Sequence, residues 1–196
     1  MDYTPRTFSI PSLDDISEES IKQHVGLYEG YVKNFNAIST KIADYAKEDT
    51  EKHALALSEL IRRKSFEFDG MRLHELYFAQ LEGGAQALNP DSELGKAFAA
   101  EYKTYFQEYF KAIGNIRGPG WAILYYDPIG KQFQAGFAGE QHQGHFATLP
   151  IILAMDVWEH AFLLDYGASG KAKYIDAFFK NLNWKVIEER FLAASR

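Results

Sequence analysis

Residues 156–166 read DVWEHAFLLDY, and this stretch holds the densest group of chemically informative side chains in the protein. Asp156 and His160 stand four residues apart, which on an α-helix places both side chains on one face, where they can hold one metal ion. The same spacing suits an ordinary hydrogen-bonded Asp–His pair. The motif by itself therefore leaves both interpretations open.

Two of the other histidines fall in segments with helical periodicity. His24 and His74 each stand among apolar and aromatic residues. A lone histidine in such surroundings is more often a core residue than a ligand, and sequence spacing does not show that the segments meet. If they do meet, the residues predict a His/Asp metal site of the kind that suits iron, manganese or zinc.

The composition narrows the class of protein. The chain has 196 residues, enough for one domain or for two small layers that share a core. It contains no cysteine, which excludes disulfide scaffolds, thiolate metal sites and cysteine nucleophiles. The formal net charge is −6 and no basic run exceeds residues 62–64, so we expect no nucleic-acid partner.

The distribution of apolar residues argues against a membrane protein and against a secreted one. No apolar run approaches the roughly 18–20 residues that span a bilayer. The first residues, MDYTPRTFSIPSL, lack the basic start and apolar stretch of a secretory signal. We therefore expect no membrane partner and a cytoplasmic location.

The first part of the chain is predicted to be helical after a short extended arm at residues 1–16. Ser17 is a good N-cap for the helix that follows. Four segments then show apolar residues at helical spacing, namely 21–46, 53–61, 71–81 and 91–112. The first two predict long helices that turn near residues 47–50, and Gly70 predicts a break before the third.

The pattern changes after the breaker cluster RGPG at 117–120. The elements predicted beyond it are antiparallel strands over 121–127 and 131–139, an apolar run from 151 that passes from strand to helix, and helices near 170–181 and 184–194. The fold class is therefore α+β. An N-terminal long α-helical hairpin domain is expected at 1–88, and a C-terminal α/β domain with a small antiparallel sheet at 89–196.

Several stretches, taken together, resemble the iron/manganese superoxide dismutase family. DVWEHAFLLDY matches the family signature D-x-W-E-H-A-x-x-L-D-Y. The other similar stretches, in family order, are the first helix at 16–36, the second ligand segment HELYFAQLEGG at 74–84, the strand start GPGWAIL at 118–124 and the closing helices at 173–191. These matches cover most of the chain.

The resemblance implies a metal centre between the helical hairpin and the C-terminal domain. Carried over by position, His24 and His74 are the ligands from the hairpin, and Asp156 and His160 are those from the C-terminal domain. One manganese or iron ion per subunit is implied, with a solvent molecule completing the site. The implied reaction converts superoxide to dioxygen and hydrogen peroxide while the metal alternates between trivalent and divalent states.

The family pattern also implies roles for residues around the metal. Gln141 is the better match to the residue that orients the metal-bound solvent. His142 is the alternative, and on a strand these neighbours would face opposite sides. Trp121 and Trp158 would wall the site, and Tyr31 resembles the gateway tyrosine.

The resemblance further implies a homodimer, because Glu159 and His160 match a pair that bridges two subunits. Two residues depart from the family pattern at the same interface. Tyr28 occupies the position of a second histidine, where it acts either as a proton relay or simply packs. Leu163 stands where a tyrosine normally meets that histidine across the dimer, so the usual hydrogen bond between subunits is lost.

Two more departures bear on the site. Tyr31 follows His24 by seven residues where the family has eight, although seven still return to the same helix face. Gly70 stands where iron enzymes commonly carry a glutamine. A glycine there, together with Gln141, resembles the manganese arrangement, and use of either metal is credible.

Two other functions stay open at this point. A degenerate family member would keep a structural metal site with little dismutase activity, which the changes at Tyr28 and Leu163 would fit. A mononuclear oxygenase or hydrolase with two histidines and one carboxylate would need an open substrate pocket.

Overall fold

The computed structural model describes residues 2–196 as an α+β protein, which confirms the predicted fold class. This range contains seven α-helices, three β-strands and one 3₁₀ turn. The helices are α1 (Glu18–Glu48), α2 (Ala54–Ala79), α3 (Glu93–Glu101), α4 (Phe106–Gly114), α5 (Leu163–Tyr166), α6 (Lys171–Lys180) and α7 (Trp184–Ala194). The strands are β1 (Gly120–Asp127), β2 (Gln132–Gly139) and β3 (Ile151–Asp156), and the 3₁₀ turn spans Glu159–Ala161.

Helices α1 and α2 form the predicted helical hairpin. Ser17 caps α1, because its side-chain oxygen accepts a hydrogen bond from the backbone N–H of Ser20 at 3.1 Å. The turn between the helices is closed by Asp49, whose Oδ1 accepts from the N–H groups of Glu51 and Lys52. Among the described residues, no helix is both long enough and apolar enough to cross a bilayer.

Helix α2 runs without interruption through Gly70, so the predicted helix break at this glycine is wrong. The glycine is required by packing between the two helices. A Cβ atom at Gly70 would lie 2.6 Å from Cδ1 of Tyr31, so a side chain there would collide with the tyrosine ring. Gly70 therefore marks a close contact between α1 and α2 and not a helix boundary.

The single helix predicted over 91–112 is also wrong, because α3 and α4 are separate helices. Lys103 lies between them with a φ of 55°, in the left-handed region. This turn lets Phe98 and Phe106 pack with their ring centroids 4.3 Å apart, and it places Phe98 4.9 Å from Phe133 of β2. Aromatic packing against the sheet thus overrides the helical periodicity of the segment.

The two predicted antiparallel strands are confirmed as β1 and β2, and α6 and α7 match the two predicted closing helices. Strand β3 completes a three-stranded antiparallel sheet in the order β2-β1-β3. Central strand β1 is buried from Gly120 to Tyr126. In the register between β1 and β3, Trp121 lies opposite Asp156, so the sheet itself brings this indole and this carboxylate together.

Side chains from the end of α2 and from α7 form hydrogen bonds with backbone groups on the outer edge of β3. Gln80 at the end of α2 is fully buried, and its amide both donates to the carbonyl of Ala154 and accepts from the Ala154 N–H. Arg190 of α7 donates to the carbonyl of Ile152 at 3.3 Å and to that of Leu76 at 2.7 Å. Burial lowers the pKa of Arg190 to about 10, so the guanidinium is still charged at neutral pH. These contacts fix the end of β3 relative to α2.

Replacing Arg190 with methionine should lower the free energy of unfolding by about 2–4 kcal/mol, because two partly buried hydrogen bonds lose their charged donor. Methionine retains an apolar stem, so the loss of stability reports mainly on the hydrogen bonds that the guanidinium makes. Urea unfolding at pH 7 measures the effect. Arg62→Met is the matched control, since Arg62 pairs with Glu59 on an exposed surface and should leave stability essentially unchanged. Equal stability of the two variants would show that Arg190 does not hold β3.

Candidate metal centre

Four side chains converge where the helical hairpin meets the sheet: His24, His74, Asp156 and His160. One nitrogen or oxygen atom from each lies within 4.8 Å of the others. The Nε2 atoms of His160, His24 and His74 lie 3.1, 3.2 and 3.5 Å from Oδ2 of Asp156. In the part of the chain that the structure describes, no second group of this kind occurs.

The four residues come from separate elements. His24 is on α1, His74 is on α2, Asp156 ends β3 and His160 lies in the 3₁₀ turn. The expectation that Asp156 and His160 share a helix is therefore wrong. The backbone N–H of Trp158 donates to Oδ1 of Asp156 at 2.8 Å, and this turn brings His160 round to face Oδ2 of the same carboxylate.

The donor atoms fit a metal ion. Nδ1 of His74 donates to the carbonyl of Gly70 at 2.6 Å, which leaves the lone pair on Nε2. That Nε2 is buried and has no hydrogen-bond partner among the described residues. Atoms that bind one ion at about 2.1 Å and roughly 90–115° apart lie roughly 3.0–3.5 Å from each other, in agreement with the observed separations from Asp156.

The charges in the cluster depend on one another. Burial opposes ionisation of Asp156, but the charge of His160 and hydrogen bonds from His160 and His24 outweigh it and hold the pKa of Asp156 far below its usual range. Burial lowers the pKa of His24, and burial with repulsion from His24 lowers the pKa of His74 to about 3. Burial also opposes the charged form of His160, but the Asp156 carboxylate outweighs it and raises the pKa of His160.

These pKa shifts give most of the cluster the protonation state that binding of a metal ion requires. Metal binding requires an ionised carboxylate and neutral imidazoles. At neutral pH the fold already keeps Asp156 ionised and His24 and His74 neutral. A metal ion therefore competes with a proton mainly at His160.

Gln141 lies in the turn after β2 and joins two aromatic residues that pack against the cluster. Its Oε1 accepts from the indole Nε1 of Trp121 at 2.7 Å, and its Nε2 donates to the hydroxyl of Tyr31 at 2.9 Å. Because an indole N–H only donates, Trp121 fixes the orientation of the buried amide. The rings of Trp121 and Tyr31 lie 5.1 and 5.0 Å from the ring of His74.

Tyr31 reaches the cluster despite its seven-residue spacing from His24. Helix α1 is α-helical throughout its length, and seven residues make about two turns. Burial, with smaller contributions from the charges of Asp156 and Glu67, raises the pKa of the Tyr31 phenol. Tyr31 therefore keeps its proton at neutral pH.

His142 does not share the hydrogen bonds of Gln141. Both residues lie in the turn after β2, so the alternation of faces along a strand does not separate them. The ring of His142 packs edge-on against Phe66 at 5.7 Å, and its Nδ1 lies 3.8 Å from Oε2 of Glu140. Of the two residues, Gln141 is the one that binds the aromatic side chains packed against the cluster.

Tyr28 is fully buried, and its hydroxyl is engaged outside the cluster. It accepts from the backbone N–H of Arg6 at 2.8 Å and donates to Oε1 of Glu75 at 3.1 Å. Glu75 in turn accepts from Arg72 at 2.6 Å. Tyr28 thus links the N-terminal arm to α1 and α2 through its hydroxyl.

The last group of predicted residues lies around His160. The ring of Trp158 stacks on that of His160, with centroids 5.8 Å apart and 19° between planes. The indole N–H of Trp158 donates to the carbonyl of Glu140 at 3.2 Å. Glu159 and Leu163 are exposed next to them.

Two aromatic residues against the cluster were not predicted from the sequence. The rings of Tyr77 and Phe78 lie 4.9 and 5.0 Å from that of His24. They stand three and four residues after His74, so helical spacing from a candidate ligand is the signal that could have identified them.

Comparison with known proteins identifies the chain. Residues 90–190 match the family model for iron/manganese superoxide dismutases, C-terminal domain. The iron superoxide dismutase of Aquifex aeolicus is 34% identical over 191 residues, covering 94% of this chain and 88% of the relative. That of Saccharolobus solfataricus is 30% identical over 192 residues, covering 95% and 90%.

A manganese enzyme is similar as well. The manganese superoxide dismutase of Corynebacterium diphtheriae is 29% identical over 203 residues, covering 97% of this chain and all of the relative. The similarity thus extends over both halves of the chain, including the segments that supply the four clustered side chains. The chain belongs to the iron/manganese superoxide dismutase family.

Proposed function

We propose that the protein is a superoxide dismutase that uses one iron or manganese ion held by His24, His74, Asp156 and His160. The observation that carries this proposal is the convergence of three imidazole Nε2 atoms on Oδ2 of a buried carboxylate. When bound, the ion supplies the one-electron exchange that turns one superoxide into dioxygen and another into hydrogen peroxide. The remaining tasks, which are to attract an anion and to supply protons, belong to the protein.

The geometry favours this function over the two alternatives. A purely structural metal site has no need of a buried amide held between Trp121 and Tyr31 beside the ligands. A hydrolase or oxygenase needs an open pocket for an organic substrate, whereas His24, His74 and Asp156 are almost completely buried. A tight site suits a substrate as small as superoxide.

The ligand charges favour binding of an anion. Three neutral imidazoles and one carboxylate contribute a single negative charge, that of Asp156. This neutralises only part of the charge of a divalent or trivalent ion. The site therefore stays attractive to superoxide even though the protein has a net charge of −6.

Tyr31 and Gln141 are suited to supply a proton when peroxide forms. Nε2 of Gln141 donates to the oxygen of Tyr31, so the tyrosine proton can be donated elsewhere. Because burial raises the pKa of Tyr31, this proton is still present at neutral and mildly alkaline pH. Trp121 holds the amide in the orientation that this exchange requires.

We further propose that the enzyme accepts either metal and prefers manganese. The side chain of Gln141 reaches the hydroxyl of Tyr31 from the turn after β2. The space next to Gly70 is filled by the ring of Tyr31. This is the arrangement that the family resemblance associates with manganese. The relatives include proteins named for each metal, so both ions are within the range of the family.

A homodimer is proposed from the surface around His160. Leu27, Leu163 and Leu164 are 43, 48 and 53% exposed and line one groove with His160. Adjacent apolar side chains with this exposure favour a protein contact. Glu159 is exposed beside them, where it can meet the partner subunit.

The domains are proposed as 1–88 and 89–196, since each supplies two of the four candidate ligands. A cytoplasmic location is proposed from the sequence expectation alone.

The variant Asp156→Asn should bind little metal and lose dismutase activity by at least about 100-fold, because the amide keeps the shape of the side chain but not its charge. Metal content and the rate of superoxide removal measure the effect. Asp176→Asn is the matched control, since Asp176 is 58% exposed and pairs with Lys111. A variant at Asp156 with normal metal content and rate would contradict the proposed site.

Protein loaded with manganese alone should remove superoxide faster, per bound ion, than protein loaded with iron alone. The comparison needs metal-free protein reconstituted separately with each ion and assayed at equal occupancy. Equal or greater activity with iron would reject the preference for manganese. Activity no higher than that of the free ions in both samples would reject the enzyme.

The native protein should sediment as a dimer at micromolar concentration, and Leu164→Asp should shift it to the monomer by placing a charge in an apolar interface. Leu55→Asp is the control, because Leu55 is 87% exposed at the start of α2 and should leave the dimer intact. A native protein that sediments as a monomer, or an unchanged Leu164→Asp dimer, would contradict the proposed interface.

A further inference from the structure

A second chain of hydrogen bonds reaches Gln141 through its backbone. The carbonyl oxygen of Gln141 lies 3.0 Å from Nε2 of His145, and Nδ1 of His145 lies 2.8 Å from the hydroxyl of Tyr125. Tyr125 is on β1, four residues after Trp121, which binds the side chain of the same Gln141. One strand therefore anchors both the side chain and the main chain of this residue.

The chemistry of the partners fixes the direction of each bond. A carbonyl oxygen only accepts, so Nε2 of His145 carries the proton. In a neutral imidazole Nδ1 then accepts, and the Tyr125 hydroxyl donates to it. Burial raises the pKa of Tyr125, so the hydroxyl keeps the proton that it donates. Tyr125 thereby selects the tautomer of His145 that can hold the carbonyl of Gln141.

The backbone around Gln141 explains why such an anchor is needed. Residues 140–142 form a turn and not a strand. Glu140 before it and Gly144 after it have left-handed φ values of 51° and 91°. The carbonyl of Gln141 consequently takes its hydrogen bond from a side chain four residues later and not from a neighbouring strand.

We infer that His145, oriented by Tyr125, is a positioning residue that fixes the amide of Gln141 between Trp121 and Tyr31. This inference rests on the proposed function, in which that amide stands beside the metal ion. Residues that orient the surroundings of a metal change its electronic properties without binding it. A shift of the turn would lengthen the 2.9 Å hydrogen bond from Gln141 to Tyr31 and change the environment of the ion.

Two substitutions of His145 separate an effect on the orientation of Gln141 from an effect on folding. His145→Ala removes the donor, whereas His145→Gln offers an amide N–H at a similar distance from the backbone. In the manganese-loaded enzyme, we expect His145→Ala to lower kcat about tenfold and to shift the visible absorption and reduction potential of the ion. His145→Gln should recover most of the lost rate and move both properties back toward the native values.

A second variant and a control sharpen the test. Tyr125→Phe leaves His145 in place but removes the group that selects its tautomer, so it should shift the reduction potential in the same direction by a smaller amount. His53→Asn is the matched control. The ring of His53 stacks on that of Tyr45, with centroids 4.0 Å apart, in the turn of the helical hairpin. This turn is remote in sequence from Gln141, so the substitution should change neither kcat nor the reduction potential of the ion.

The variant Gln141→Leu distinguishes failure of this inference from failure of the proposed function. If Gln141→Leu alters the absorption and potential while His145→Ala and Tyr125→Phe do not, the role of His145 is overturned and the dismutase stands. If the native protein binds the ion but does not remove superoxide, the proposed function fails. The absorption and potential then still decide whether His145 controls the surroundings of the ion. Should His145→Ala fail to fold, unchanged spectra in His145→Gln and Tyr125→Phe overturn the inference.

Discussion

A fully buried carboxylate is the constraint around which the molecule is organised. Asp156 is inaccessible to solvent and yet ionised, and an uncompensated buried charge costs several kcal/mol. The fold compensates it with the backbone N–H of Trp158 on one oxygen and with hydrogen bonds from the imidazoles of His24 and His160 on the other, which the unpartnered Nε2 of His74 faces at 3.5 Å. Since burial keeps two of those imidazoles neutral, their lone pairs and the carboxylate together form a site that a cation completes. The same interaction thus serves stability and chemistry.

This compensation depends on how α2 meets β3, because the hairpin and the sheet each supply part of it. Strand β3 lies at the edge of the sheet, and an edge strand exposes unpaired N–H and carbonyl groups. Gln80 and Arg190 take the place of the missing neighbouring strand by binding the N–H of Ala154 and the carbonyls of Ile152 and Ala154. The distance between the two halves of the site is therefore set by hydrogen bonds to secondary structure and not by mobile loops.

The parts of the structure that could be predicted are those with local determinants. The cap at Ser17 and the two strand segments after the RGPG breaker at 117–120 identify elements that the structure contains. The predicted helix boundaries are wrong where a contact distant in sequence determines the local structure. The ring of Tyr31 fills the space beside Gly70 within one continuous helix, and aromatic packing divides the segment 91–112 into two helices. The Asp156–His160 spacing identified two side chains that do meet, but through a turn and not a helix. Only the family resemblance could connect them to the histidines of the hairpin.

The departures from the family pattern follow the rule that buried polar groups must be satisfied. The hydroxyl of Tyr28 binds Glu75 of the same chain, and in the proposed dimer Leu163 would present no polar group to this tyrosine. The two changes are consistent as a pair, since losing one partner of a buried hydrogen bond costs about 1–3 kcal/mol while losing both can be nearly neutral. The same rule explains why both ends of the buried Gln141 amide have a partner, Trp121 at the oxygen and Tyr31 at the nitrogen. Gln141 serves both of its neighbours, so replacing it alone would leave a buried indole N–H and a phenol without their partner.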